Sequence, residues 1–272
     1  MSKLNIASTL KLNDGVSIPR LGLGVYLTTD PSAILHAFKN GYRHADSAQM
    51  YRNEAEVGDA FRQSGLSREE VFLTSKIWDS NHGYESATNS IAKSLAASKL
   101  NYWDLFLIHS PNPGKEKRLE TWRALVDAKK QGKIKSIGVS NYGPQHIEEL
   151  VKAYPNDPPS INQIELSPFF QRSAIVKACQ KYNIAIEAYS PLGKGAHVDL
   201  PELKKIGDKY GKSPSQILIR WSLDKGFICL PKSSNPGRIL ENADIFDFTL
   251  SDDDVKELDG METGSGVTWD RE

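Results

Sequence analysis

Short apolar runs and longer amphipathic ones alternate along this chain, and the short run comes first in each pair. The short runs span residues 20–24 (RLGLG), 42–46 (YRHAD), 71–77 (VFLTSKI), 104–109 (DLFLIH), 134–140 (IKSIGVS), 161–166 (INQIEL), 184–190 (IAIEAYS) and 227–232 (FICLPK). Their length, their bounding turn residues and their lack of strict alternation fit strands buried on both faces. Between them DPSAILHAFKN, NEAEVGDAFRQ, ESATNSIAKSLAASKL, ETWRALVDAKKQG, GPQHIEELVKA, RSAIVKACQKY, PELKKIGDKYG and SPSQILIRWSLDKG carry apolar residues at helical spacing behind helix-start signals. Eight strand-then-helix units predict an α/β fold of the (β/α)8 TIM-barrel type. A β-hairpin around Asp14-Gly15 precedes it, and a short C-terminal tail follows. The competing fold is an open doubly wound sheet. It fits less well, because no strand-to-helix turn carries G-x-G-x-x-G, and LGLG at 21–24 leads into no helix. No linker or low-complexity tract divides residues 1–272, so one domain is expected.

Composition narrows the partner. Lys plus Arg and Asp plus Glu both number 34, giving a formal net charge of +0 and no basic stripe for nucleic acid or anionic membrane. A small molecule is the expected partner, and a monomer is the expected state. Cys179 and Cys229 have neither disulfide-framework nor metal-site spacing and read as buried thiols. No metal is expected. MSKLNIASTLKL lacks the apolar core of a secretory leader, and no run of eighteen apolar residues occurs, so a cytoplasmic location is expected.

Active sites in this fold sit at the C-terminal ends of the strands, and those ends are polar here. Asp46, Lys76, His109, Ser140 with Asn141, Tyr189 with Ser190, and Lys232 with Ser233 end successive runs, while Gln163 lies inside the sixth. Each has a bland explanation alone: Asp46 as a helix cap, Lys76 as a snorkelling lysine, His109 as a core histidine. Jointly they place an acid, a lysine, a histidine and the nearby Tyr51 in one volume, which is costly unless the charges are paired or used. A free tyrosine titrates near 10. A lysine beside it is expected to stabilise the phenolate and lower that value, with Asp46 holding the lysine charged and His109 donating to an oxygen that gains charge. Such a set protonates a carbonyl oxygen. It contains no hydride donor, which implies a nicotinamide cofactor.

GYRHADSAQMYRNEAEVG, TSKIW, LIH, GVSN, NQIELSP, AYSPLG and LPKSSNPGRILEN, in this order from about residue 9 onward, resemble the aldo-keto reductase superfamily, in particular its short-loop members of the 2,5-diketo-gluconate-reductase-like, fungal and bacterial type. The resemblance implies a barrel that binds NADP(H) without a Rossmann domain and reduces an aldehyde or ketone to an alcohol. It implies a catalytic tetrad of Asp46, Tyr51, Lys76 and His109, with Tyr51 as the proton donor. Ser140, Asn141 and Gln163 would bind the nicotinamide carboxamide, and Tyr189 would stack on the ring. Ser190 and Leu192 would follow the pyrophosphate, with Gly24, Val25 and Tyr26 near nicotinamide and substrate. Lys232, Ser233 and Arg238 match the site for the adenosine 2′-phosphate, and Glu241 and Asn242 match contacts to adenine. A lysine and an arginine there favour NADPH over NADH. A helix start at PGRILEN with Arg238 in solvent is the ordinary alternative.

Departures from the family pattern bear on the substrate. Ala45 and Ser47 stand where Ile and Thr are usual, and Ser110 stands where a tryptophan is common, so the pocket lined by Tyr26, Trp78, His109 and Ser110 is expected to be roomier there. The loop after Tyr189 is short, which predicts easy cofactor exchange. Trp269 in the tail is a candidate for the pocket rim, with a surface tryptophan on a flexible end as the alternative. Two other functions remain open: an NADPH-binding regulatory or structural protein without catalysis, and an isomerase or aldolase using Lys76 as a Schiff-base nucleophile. The second requires a neutral lysine, which Asp46 opposes.

Overall fold

The computed structural model describes residues 4–268. Eight parallel strands form one sheet in sequence order: β3 (Leu23–Gly24), β4 (His44–Asp46), β5 (Phe72–Ile77), β6 (Trp103–Ile108), β7 (Ile134–Ser140), β8 (Ile161–Glu165), β9 (Ala185–Tyr189) and β10 (Ile228–Leu230). The two edges meet. Parallel bridges join Leu21 to Cys229 and Gly24 to Lys232, and the Gly22 and Gly24 amides donate to the carbonyls of Cys229 (3.0 Å) and Pro231 (3.1 Å). A TIM barrel results, and closure removes the exposed sheet edges.

Helices α1 (Pro31–Lys39), α2 (Glu54–Ser64), α3 (Tyr84–Ser98), α4 (Lys115–Lys130), α5 (Pro144–Ala153) and α6 (Ser173–Lys181) each follow one strand, and α7 (Pro201–Tyr210) and α8 (Pro214–Asp224) both precede β10. The α4 helix begins earlier than its apolar periodicity suggests. Gly114, at φ +93°, turns the chain into a first turn of charged residues, and only from Leu119 and Trp122 onward does the helix face the core. After β10 come α9 (Pro236–Ala243), whose Asn235 cap accepts the Arg238 amide, and α10 (Asp252–Asp259). The sequence reading contains no α10, because DDDVKELD offers little apolar surface. It is held by the Ser251 cap and acidic residues at its dipole-positive end. Asp254 accepting from the Tyr210 hydroxyl (2.6 Å) and Asp259 accepting from the Trp221 indole (2.8 Å) tie it down.

Strand alternation sorts the side chains. On β5, Leu73 and Ile77 face the helices, while Phe72, Thr74 and Lys76 face the barrel interior. On three strands the inner-face residues pass from apolar at the strand start to polar at its end: Phe72, Thr74, Lys76 on β5; Leu105, Leu107, His109 on β6; Ile161, Gln163, Glu165 on β8. The interior therefore has an apolar floor and a polar mouth. The hairpin of β1 (Thr9–Lys11) and β2 (Ser17–Pro19) covers the floor, with Leu12 and Ile18 packed against Phe72, Leu105, Leu107, Ile161 and Ile228. Gly22 makes room one layer higher, since a Cβ there would lie 2.6 Å from the His44 ring. Among the described residues no helix is long and apolar enough to cross a membrane.

Because Ile18 is wholly buried under the barrel, Ile18→Ala should destabilise the protein by about 2–4 kcal/mol in urea unfolding, through lost burial and the cavity left behind.

Candidate active site

Asp46 ends β4, Lys76 lies near the end of β5, and His109 follows β6, so three adjacent strands deliver them to the polar mouth. Lys76 is wholly buried. Its Nζ donates to Asp46 Oδ2 at 2.6 Å and to the Ser47 carbonyl at 2.7 Å. The same Nζ lies 4.9 Å from the centroid of the Tyr51 ring. That ring meets His109 edge-on at 5.8 Å and Tyr26 at 5.0 Å, and Trp78 meets His109 at 5.3 Å. The structure thus brings Asp46, Tyr51, Lys76 and His109 together, with Tyr26 and Trp78 as aromatic walls.

Charge states follow from burial and neighbours. Burial works against the Lys76 ammonium, but Asp46 and Tyr51 outweigh it and hold the lysine above its ordinary value. Burial holds the His109 imidazole well below its usual range, aided by the nearby Lys76 charge, so it is neutral. Tyr51 differs from the sequence expectation. Lys76 does pull its hydroxyl down, yet desolvation outweighs that pull and Asp46 opposes it, so the net shift is upward. Tyr51 is a protonated phenol at every physiological pH.

The turn carrying Tyr51 is fastened by residues that the sequence did not single out. Tyr51 closes a short 3-10 turn, Gln49–Tyr51, and Arg52 follows in the left-handed region at φ +54°. Gln49 donates to Ser94 on α3 and accepts from the Trp78 amide (3.0 Å) and the Asn81 side chain (2.8 Å). Buried Asn53 accepts from the Ser47 hydroxyl at 2.6 Å and donates to the carbonyls of Val25 and Thr28, joining this turn to the loop after β3. Ser47 thereby keeps the hydrogen bond that a threonine hydroxyl would make. Ser110 donates to Asp79 Oδ1 at 2.6 Å, which commits its hydroxyl to the β5 loop.

The remaining candidates ring the same mouth. The Ser140 hydroxyl donates to the Gln163 carbonyl (2.8 Å), and the Asn141 side chain donates to the His109 carbonyl (3.0 Å) and accepts from the Tyr189 hydroxyl (2.9 Å). Gly24 bridges to Lys232, and the Val25 amide donates to the Asp46 carbonyl, so Tyr26, 44% exposed, begins the rim. Ser190, at φ +49°, turns the chain out of β9 towards Leu192, and the short loop beyond is pinned by His197 stacked on Phe169 at 3.9 Å. Farther out, Lys232 and Arg238 are exposed and form no ion pair among the described residues; between them Ser233 caps the turn into α9. Asn242 is buried, and Glu241 accepts from the Ser213 hydroxyl at 2.5 Å. Trp269 lies outside the described residues. The chain just before it crosses the mouth: the Val267 and Thr268 amides donate to Glu165 at 2.6 and 3.1 Å, and the Thr268 hydroxyl is 3.3 Å from that of Tyr189. Among the described residues no three His, Cys, Asp or Glu side chains group to hold a metal ion. Cys179 and Cys229 are buried free thiols, pushed up to about 12 by burial.

Sequence and shape agree with known proteins. The aldo/keto reductase family model matches residues 29–263. The glyoxal reductase of Bacillus subtilis is 42% identical over 261 residues, covering 94% of each chain. The crystal structure of an aldo/keto reductase from Brucella melitensis is similar at TM-score 0.91 and 45% identity, covering 94% of this chain and 99% of that one. An aldo-keto reductase of Bombyx mori, crystallised in complex with NADP, is similar at TM-score 0.90 and 34% identity, covering 97% of this chain and 96% of that one. A barrel closed under a polar mouth, a buried lysine–aspartate pair beside a tyrosine and a histidine, and these likenesses over most of the chain lead to one assignment: the protein belongs to the aldo/keto reductase family of oxidoreductases.

Proposed function

We propose that this protein reduces an aldehyde or ketone to an alcohol with NADPH, Tyr51 giving the proton. The observation that carries the reading is the buried Lys76 ammonium, fixed by Asp46 at 2.6 Å and lying under the Tyr51 ring. An ammonium held charged in this way is no Schiff-base nucleophile, which needs a neutral amine.

NADPH, when bound, supplies the hydride to the carbonyl carbon. The chain's own groups manage the oxygen. As negative charge builds there, the Tyr51 hydroxyl donates its proton, and the phenolate that remains is stabilised by Lys76. Two of the three Nζ hydrogens are spent on Asp46 and the Ser47 carbonyl, which leaves one for this task. Neutral His109 donates a second hydrogen bond to the same oxygen. Solvent then returns a proton to Tyr51.

Residues present in the mouth fit the cofactor. Lys232 and Arg238, both exposed cations beside the start of α9, suit a dianionic phosphate, and Ser233 adds a hydroxyl between them. Ser140, Asn141 and Gln163 offer amide and hydroxyl groups to a carboxamide, Tyr189 offers a ring face, and Ser190 and Leu192 border the path between. Glu241 and Asn242, farther along α9, would meet the adenine. Gly24 and Val25 bring the first strand close to the reacting centre. Tyr26, Trp78 and His109 would enclose the substrate, and Ser110, wholly buried and bonded to Asp79, follows His109 in the chain. Small reactive aldehydes of the kind named for the Bacillus subtilis relative are the substrates to try first.

Tyr51→Phe should lower kcat for an activated aldehyde by about a hundredfold or more while NADPH affinity, read by fluorescence titration, stays within about twofold. NADPH binding with no turnover of any carbonyl by the unaltered protein would favour a regulatory role instead. Replacing Lys232 and Arg238 by alanine should raise KM for NADPH by about tenfold or more and leave KM for NADH nearly unchanged, since each charge-assisted bond contributes about 1.5–3 kcal/mol.

A further inference from the structure

A second carboxyl lies one layer below Lys76, and the reaction outlined above leaves it unused. In IAIEAYS, Ile184 and Ile186 face the helices, while Ala185, Glu187 and Tyr189 share the inner face of β9. Glu187 is wholly buried. Its Oε2 accepts from Gln163 Nε2 at 2.7 Å, and the same nitrogen donates to Asp46 Oδ1 at 2.8 Å. Both amide hydrogens of Gln163 are thereby spent on carboxyl groups, which fixes the amide with its carbonyl oxygen turned away from them. Glu187 Oε1 lies 3.7 Å from His44 Nε2, beyond hydrogen-bond reach, and His44 is instead 3.2 Å from the Thr74 hydroxyl.

We propose that Glu187 is a positioning residue for the reduction proposed above: through the shared Gln163 amide it sets the orientation of Asp46, and hence of Lys76, and the direction in which the Gln163 carbonyl faces. The inference rests on that reading of function.

The groups facing Glu187 are His44 and Asp46 from β4, Thr74 and Lys76 from β5, Gln163 from β8, and apolar Ile228 and Leu230 from β10, with the Pro19 carbonyl of the hairpin next to His44. Lys76 and Asp46 cancel, so an ionised Glu187 would leave an uncompensated negative charge in the barrel. Burial first, and the Asp46 charge second, push Glu187 up to about 8, while burial pulls His44 down to about 3. The His44–Glu187 contact is therefore a neutral acid beside a neutral imidazole rather than an ion pair. While protonated the carboxyl supports the site without charging it; once ionised at higher pH, its charge competes with Tyr51 for the Lys76 field, which weakens stabilisation of the phenolate and slows reduction. Tyr51 itself, shifted upward, does not cause this fall.

Folding stability reports the same proton. Glu187 keeps it up to about 8 in the folded chain but only to 4.5 as an ordinary carboxyl, so between those values the folded state binds more protons and stability falls as pH rises.

The test compares wild type, Glu187→Gln and Glu187→Leu for NADPH-dependent aldehyde reduction between pH 6 and 10, with urea unfolding over the same range and down to pH 4.5. Glutamine keeps an acceptor for Gln163 and cannot ionise; leucine removes the acceptor. The proposal expects kcat of wild type to fall to a lower plateau as pH rises through its midpoint, that of Glu187→Gln to lack this limb, and that of Glu187→Leu to be lower by about tenfold or more at every pH, with Glu187→Gln restoring most of the loss. It also expects the stability difference between wild type and Glu187→Gln to change with pH in the sense just given. Active enzymes whose three profiles coincide overturn this proposal alone. A pH-independent stability difference overturns the protonated carboxyl. Absence of turnover in wild type at every pH overturns the reductase reading, and the positioning role with it.

Discussion

An ammonium buried at the centre of a protein is the constraint around which the rest of this molecule is arranged. Removing Lys76 from water costs several kcal/mol, and only excellent geometry repays it. Asp46 supplies the counter-charge at 2.6 Å and the Ser47 carbonyl a second acceptor at 2.7 Å. Asp46 in turn must be satisfied, and Gln163 does so from the far side of the barrel. Every member of this chain of contacts sits on a strand or within a residue of one, because loops would not hold such distances. The apolar floor serves the same end, keeping water out from below while the hairpin seals it.

Much of this was legible in the sequence because a parallel barrel reads out its own inner face. Alternation along VFLTSKI and DLFLIH places Lys76 and His109 inside at the strand ends, and the family blocks add Tyr51 after Asp46. What escaped the sequence are side chains whose partners come from distant strands. Glu187 in IAIEAYS looks like an isolated polar residue in a strand; its meaning depends on Gln163 and Asp46, 24 and 117 residues from their partners along the chain. The polar residue at an inward position of an otherwise apolar run was the available signal. Gln49 and Asn53 act through loop geometry, which carries no periodicity. The direction of the Tyr51 shift was missed because charge is visible in a sequence and desolvation is not.

The tail bonds to Glu165, the strand-end carboxylate of β8, and touches the Tyr189 hydroxyl. Its last described residues are thus part of the mouth. Arrangements of this kind place variability where the substrate is met, while the charged centre beneath stays fixed by the strands.

The hairpin beneath the floor acts as a clasp. Leu12 and Ile18 touch Phe72 of β5, Leu105 and Leu107 of β6, Ile161 of β8 and Ile228 of β10, so one short segment at the far end of the molecule clasps four strands at once. Those strands then open or close from below together, and the barrel would unlock as a unit rather than strand by strand.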